Sequence, residues 1–163
     1  MKRTTKKGFT LVEILIVVII LGILAAIVIP QFSQASTEAR ISSLKTNLQT
    51  IRSQLLLYKM QHTGEAYPDL ADLTQMTNCT DMAGAVNAVV PTNVPTTACP
   101  LGPYLQTVPV NPITGLNTVR ITTAVFVGDE TAGWVLNSTT GEFRADLLNA
   151  KVTPDGATML NSF

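Results

Sequence analysis

The sequence predicts an α+β chain in which one long N-terminal helix, apolar in its first half and amphipathic in its second, packs on a small antiparallel β-sheet. Three observations predict it. An apolar run from Phe9 to Ile29 holds a single ionisable side chain, Glu13, and matches the roughly 20 apolar residues that a bilayer-spanning helix needs. Ile41, Leu44, Leu48, Ile51, Leu55 and Tyr58 then recur at alternating spacings of three and four, which lines one face of a helix. Farther on, β-rich runs around Trp134 and Phe143 flank the loop Asn137-Ser138-Thr139-Thr140-Gly141, a hairpin signal.

The chain divides accordingly into a leader at residues 1–8, a membrane segment at 9–29, an amphipathic spine helix at 30–62 and a head at 63–163. The leader is short and basic: Lys2, Arg3, Lys6 and Lys7 supply four of the chain's eleven basic residues. Lys and Arg flanking a membrane helix stay in the cytoplasm, so the single-pass chain holds its head on the far side of the cytoplasmic membrane. Without the leader, seven basic residues face eleven acidic ones, a side-chain net of −4. No basic cluster follows residue 10, which argues against nucleic acid as a partner. An ordinary secretory signal is a competing reading, with Ala25-Ala26 as a weak cleavage site. Against it, the apolar run continues through Ile27, Val28 and Ile29, and a disposable segment has no reason to carry Glu13. A carboxylate in hydrocarbon costs about 2.5 to 3.5 kcal/mol at the bilayer centre and less near an end.

Gly8-Phe9-Thr10-Leu11-Val12-Glu13 resembles the G-F-T-L-x-E processing site of type IV pilins and type II secretion pseudopilins, and Gly22 and Pro30 match the pattern beyond it. The resemblance implies a pilin-like fold, cleavage between Gly8 and Phe9 by a prepilin peptidase, N-methylation of Phe9 and a charged fifth mature residue, Glu13. It further implies assembly with identical or related subunits on an inner-membrane platform, into a periplasmic or cell-surface filament. An ammonium at Phe9 and a carboxylate at Glu13 lie four residues apart and are neighbours on one helix. Between helices, Glu13 of an incoming subunit would neutralise Phe9 of one already assembled, each charge offsetting the other's desolvation. The alternative is a Glu13 that is protonated or held at the lipid headgroups.

Pro30 removes a backbone donor and clashes with the preceding turn, so a helix kink is expected there. Helical periodicity resumes at once, and a helix from Phe9 to about Gln61 would extend on the order of 80 Å. Arg40, Lys45, Arg52 and Lys59 lie off the apolar seam and read as solvated. The seam runs for fewer than three heptads, so packing on the chain's own sheet is preferred to a coiled coil. His62 has no Cys or Asp at ligand spacing and reads as a surface or helix-ending residue, and Gly64 as the helix stop. Tyr58, Gly64, Tyr67 and Pro68 resemble the stretch where the spine of this family enters the head. Asp69, ahead of Leu70, Ala71 and Leu73, reads as the cap of a short helix.

Residues 74–119 turn to Thr, Asn, Pro and small side chains, with prolines at 91, 95, 100, 103, 109 and 112. A structureless run this long is unusual, so short elements are expected within it. Cys79 and Cys99 fall in the exported part, where oxidising conditions allow a disulfide; two unrelated small buried residues are the other reading. Gly102-Pro103-Tyr104-Leu105, Val108-Pro109 and Asn111-Pro112 resemble a segment of major pseudopilins. Strands are expected over Arg120–Gly128, Gly133–Leu136 and Glu142–Ala145. Trp134 reads as core rather than as a sugar-stacking surface residue.

No phosphate-cradling glycine loop, HExxH, paired-cysteine metal pattern or nucleophile–base–orienter set is present in the sequence. The chain therefore reads as a structural subunit and not an enzyme. The adjacent acids Asp129 and Glu130 are the candidates for calcium, which favours clustered oxygens and which the resemblance to major pseudopilins implies for the head, although two acids fall short of a ligand set. The functional expectation is a subunit of a type II secretion pseudopilus supporting protein secretion. A type IV pilus subunit for adhesion, motility or DNA uptake is the alternative, and a membrane-anchored enzyme or binding domain the rival from another class.

Overall fold

The computed structural model describes residues 8–69, 73–86 and 95–148. Helix α1 spans Leu11–Gln61, followed by a 3-10 turn at Thr63–Glu65, helix α2 at Thr74–Thr77, and strands β1 at Val119–Thr122, β2 at Trp134–Asn137 and β3 at Phe143–Ala145. Two compact units divide this chain, one ending at Glu38 and one beginning at Ala39, with α1 contributing to both. Helix assignment continues unbroken through Pro30. The helix ends one residue before His62, and Gly64 takes the left-handed conformation, φ 83°, in the turn that follows. Glycine adopts that conformation without the steric cost of a Cβ.

In the unit from Ala39 onward, all six seam residues from Ile41 to Tyr58 are buried. They form one core with Leu73, Met76, Val119, Trp134, Leu136, Phe143, Ala145 and Leu147. Trp134 and Leu136 on β2, and Phe143 and Ala145 on β3, recur at period two, so one face of the hairpin meets the helix. Trp134 is fully buried, its ring 5.6 Å from Phe143 and its Nε1 donating to the Pro109 carbonyl at 2.8 Å. Packing is thus its role.

The hairpin forms as expected, with Trp134 opposite Ala145 and Leu136 opposite Phe143. Its turn is set by Asn137, whose Oδ1 accepts from the Thr139 and Thr140 amides at 3.0 and 3.1 Å. Gly141, at φ 75°, leaves room where a Cβ would strike the ring of Tyr67. The sheet departs from the antiparallel expectation: β1 pairs parallel to β2, with Val119 opposite Trp134 and Thr122 opposite Asn137. Parallel neighbours require a crossover of about a dozen residues, and residues 123–133 supply it. For the same reason β1 is shorter than expected. Val125, Phe126 and Val127 have left the sheet to make the return.

Two smaller expectations are corrected. Arg52 is not simply solvated; its Nε and Nη2 donate to the Phe143 carbonyl at 3.0 and 2.8 Å, satisfying a strand-end acceptor that faces the helix. Lys59 lies 4.9 Å from the Tyr67 ring centroid. The short helix α2 begins at Thr74, with Leu73 at its N-cap, while the short helix expected after Asp69 falls on residues 70–72, which lie outside the described residues. Leu70, Ala71, Pro91, the leader residues 1–7 and the segment 149–163 lie outside the described residues. In the Thr/Pro-rich region, α2 and isolated bridges of Thr80 to Val86 and to Leu101 supply the expected local order.

Truncating Leu48 or Trp134 to Ala is expected to lower stability by about 2 to 5 kcal/mol, whereas Leu56→Ala, at an exposed position of the same helix, should change it by less than about 0.5 kcal/mol. Denaturant titration of the detergent-solubilised chain checks both. Equal losses at all three positions would contradict the seam.

Candidate functional site

The N-terminal site begins outside the helix. Gly8, Phe9 and Thr10 have no regular structure and are exposed, Phe9 at 83%. The Gly8–Phe9 peptide bond thus precedes the helical ladder. The helix itself opens with a capping box: Thr10 Oγ1 accepts from the Glu13 amide at 3.2 Å, and Glu13 Oε2 accepts from the Thr10 amide and hydroxyl, both at 2.8 Å. Such reciprocal bonds satisfy donors that the first turn of a helix leaves orphaned, and a carboxylate there also complements the helix dipole. Thr10 was not singled out from the sequence, although T-x-x-E before an apolar run is the signature of this cap.

Behind the cap, the large apolar residues from Leu11 to Ile29 are 51 to 82% exposed. An 18-residue window of this helix has mean hydropathy 3.3, long and apolar enough to cross a membrane. Glu13 is its only ionisable group. The site therefore combines an exposed peptide bond, a capped helix start carrying one carboxylate, and an apolar surface.

In the head, Cys79 and Cys99 form a disulfide, with Cα atoms 5.5 Å apart. Beside it His62 is buried, not a surface residue. Its Nδ1 lies 2.8 Å from the Tyr58 carbonyl and its Nε2 2.7 Å from Thr80 Oγ1, while its ring stacks on Tyr58 at 3.8 Å. Burial pushes the Tyr58 phenol up to about 12, with Asp69, Tyr104 and Asp81 acting in the same direction. This cluster joins the helix end to the disulfide-closed loop and offers no open catalytic group.

Asp129 and Glu130 sit in the β1–β2 crossover. Asp129 Oδ1 accepts from the Thr131 hydroxyl at 2.7 Å and amide at 3.1 Å, and lies 3.3 Å from Arg120 Nη2. Fully buried Asp146 ties down the same turn: its Oδ1 accepts from the Asp129 amide at 3.0 Å and Arg120 Nη2 at 3.1 Å, and its Oδ2 from the Ala132 amide at 3.0 Å. With Arg120 in place, Asp129 Oδ1 and both Asp146 oxygens accept from protein donors rather than facing an open site. Among the described residues no group of three or more His, Cys, Asp or Glu side chains is placed to hold a metal. Neither Arg120 nor Asp146 was singled out from sequence, since a pair 26 positions apart has no local pattern.

The Thr131 hydroxyl and amide, aided by Arg120, hold the Asp129 carboxyl at about 2, below its ordinary 3.8. A depressed carboxyl contributes stability that is fully present above the ordinary value and is lost as pH falls through the folded one. Melting temperature should therefore drop between pH 4 and pH 2, and Asp129→Asn should flatten that part of the profile. A variant with an unchanged acid slope would contradict the assignment.

Comparison with known proteins bears on the N-terminal site. Residues 3–29 match the family described as the prokaryotic N-terminal methylation motif. The chain is 43% identical over 68 residues to the type II secretion system core protein G of Pseudomonas aeruginosa, covering 42% of this chain and 46% of that protein. It is 51% identical over 45 residues to the type IV major pilin protein PilA of Myxococcus xanthus, 28% of this chain and 20% of the relative. A fimbrial protein of Neisseria meningitidis is 33% identical over 82 residues, 50% of this chain and 47% of the relative. The aligned stretches thus span less than half the length of each of these relatives. No solved structure matches the chain significantly. The N-terminal part of the chain is thus similar to the methylation-motif family over residues 3–29 and, over less than half the length of each relative, to type II secretion core proteins G and to a type IV major pilin.

Proposed function

We propose that the chain is a structural subunit of an extracytoplasmic helical filament of the type II secretion pseudopilus kind, supporting protein secretion. The observation that carries this reading is the exposed apolar surface of α1 from Leu11 to Ile29, interrupted by one carboxylate. In the membrane, lipid covers that surface; in a filament, the same surface packs on the helices of other subunits. Hydrophobicity alone does not favour one over the other, because lipid tails are as apolar as leucine. Pairing of Glu13 with the Phe9 ammonium of a neighbouring subunit supplies the bias.

In this reading a prepilin peptidase cuts the Gly8–Phe9 bond, Phe9 is N-methylated, and its ammonium meets Glu13 of a neighbouring subunit as the chain leaves an inner-membrane assembly platform. Each buried charge then has a partner, where an unpaired one would cost several kcal/mol. Pro30 lets the helix bend where it leaves the membrane segment, because the backbone there lacks a hydrogen bond. The basic leader holds the N-terminus in the cytoplasm and puts the head outside, a compartment in keeping with the Cys79–Cys99 disulfide.

The relatives named as core protein G favour the secretion pseudopilus. Those named as pilins and fimbrial proteins favour a second reading, a type IV pilus subunit acting in adhesion, motility or DNA uptake. Deleting the chain in its host separates them: loss of secreted proteins with surface motility intact supports the first, and the reverse outcome supports the second.

Two variants separate the charge of Glu13 from its capping role. Glu13→Gln keeps an acceptor at the third helical position and so keeps the cap, but removes the charge; Glu13→Ala removes both. Both should lower recovery of assembled filament more than tenfold, since stripping one partner from a buried ion pair costs about 3 to 5 kcal/mol. Quantitative recovery of sheared or cross-linked filaments reads this out. Wild-type assembly of Glu13→Gln would remove the pairing, and a defect confined to Glu13→Ala would transfer the role to the cap.

A further inference from the structure

Arg120, on β1, places one guanidinium nitrogen among three oxygens of the crossover. Its Nη2 lies 2.8 Å from the Val127 carbonyl, 3.1 Å from Asp146 Oδ1 and 3.3 Å from Asp129 Oδ1. One carbonyl and two carboxylates converging on a point are the donor types that a hard cation takes. The guanidinium fits this cradle unevenly. Nη2 meets all three oxygens, while Nε is buried with no hydrogen-bond partner among the described residues. Arginine's planar fork suits bidentate recognition of a single carboxylate; here the surroundings converge on one nitrogen, as around a point charge.

The cradle is built rather than incidental. Asp146 is fully buried, and both its oxygens are committed to the crossover through the Asp129 and Ala132 amides. Its position is fixed by the end of β3, where Ala145 pairs with Trp134. The Asp129 side chain is 46% exposed, so the cradle opens to solvent on that side and water can complete a coordination shell.

We propose that the cluster of Val127, Asp129 and Asp146 is a cation site occupied by the chain's own Arg120, so that the head needs no divalent metal and gains a calcium site only when the guanidinium is removed. This inference does not depend on the filament reading. With Arg120 in place, a calcium ion would have to displace a covalently tethered cation from the same oxygens. Without it, Asp129 and Asp146 face each other uncompensated, and a divalent cation at 2.3 to 2.6 Å from those oxygens takes over the role.

The test is thermal melting of the detergent-solubilised full-length chain in EDTA and in 10 mM calcium chloride, for wild type, Arg120→Met and Arg120→Lys. Wild type should melt at the same temperature in both. Arg120→Met should melt lower than wild type in EDTA and recover by about 4 to 10 °C in calcium, the shift expected for a site of about 0.1 to 1 mM affinity. Arg120→Lys keeps a cation in the cradle, so it should remain indifferent to calcium, which separates loss of charge from loss of packing. A wild-type chain stabilised by calcium overturns the proposal. So does an Arg120→Met chain that behaves alike in calcium and EDTA, including one that stays unfolded in both.

Discussion

The surface of α1 between Leu11 and Ile29 is apolar and exposed, and the function proposed for the chain depends on what covers it. Large side chains along it are half-exposed or more, and each square ångström of apolar surface left in water costs roughly 25 cal/mol. Lipid covers it for a solitary chain, and other helices cover it in an assembly. What distinguishes this segment from a simple tether is the carboxylate of Glu13, placed at the one point where a helix can use it. In the first turn it closes a capping box with Thr10, so its lone pairs are partly satisfied before any partner arrives. The cap gives the carboxylate hydrogen-bond partners of its own at the helix start.

The unit that begins at Ala39 solves a different problem, that of a small core. Its apolar contribution comes from six helix residues, one short helix and three short strands, and small domains bury too little surface to be generous with polar errors. Polar groups are accordingly tied down one by one. Arg52 satisfies the Phe143 carbonyl, Asn137 organises the hairpin turn, His62 bridges the helix end to Thr80, and Asp146 holds the crossover amides. The disulfide constrains the unfolded loop between positions 79 and 99, a contribution of typically 2 to 4 kcal/mol in the entropic account.

How far these features were legible in the sequence depended on their range. The seam from Ile41 to Tyr58 and the hairpin around Gly141 are local periodicities and appear as predicted, because a repeating pattern of apolar residues has only a few ways to be buried. The disulfide followed from compartment and count. Missed features joined distant residues through single contacts: the parallel pairing of β1 with β2, the Arg120–Asp146 pair, and the burial of His62 against Thr80. Strand direction is set by where a connection leads, and residues 123–133 carry apolar side chains that resemble a strand while acting as a crossover. The capping box is the instructive exception. It is local and has a known signature, yet the apolar run drew attention to the charge of Glu13 and away from Thr10.

If the helix is an assembly device rather than a tether, its N-terminus must be remade before it can act. That is most directly read by N-terminal mass spectrometry of the protein extracted from its host's membrane. The expected result is a chain beginning at an N-methylated Phe9, which would carry the ammonium that we propose pairs with Glu13 of a neighbour. A chain that retains Met1, or one cut beyond Ala25, would contradict it, because the first lacks the new charge and the second has lost Glu13 with most of the apolar surface.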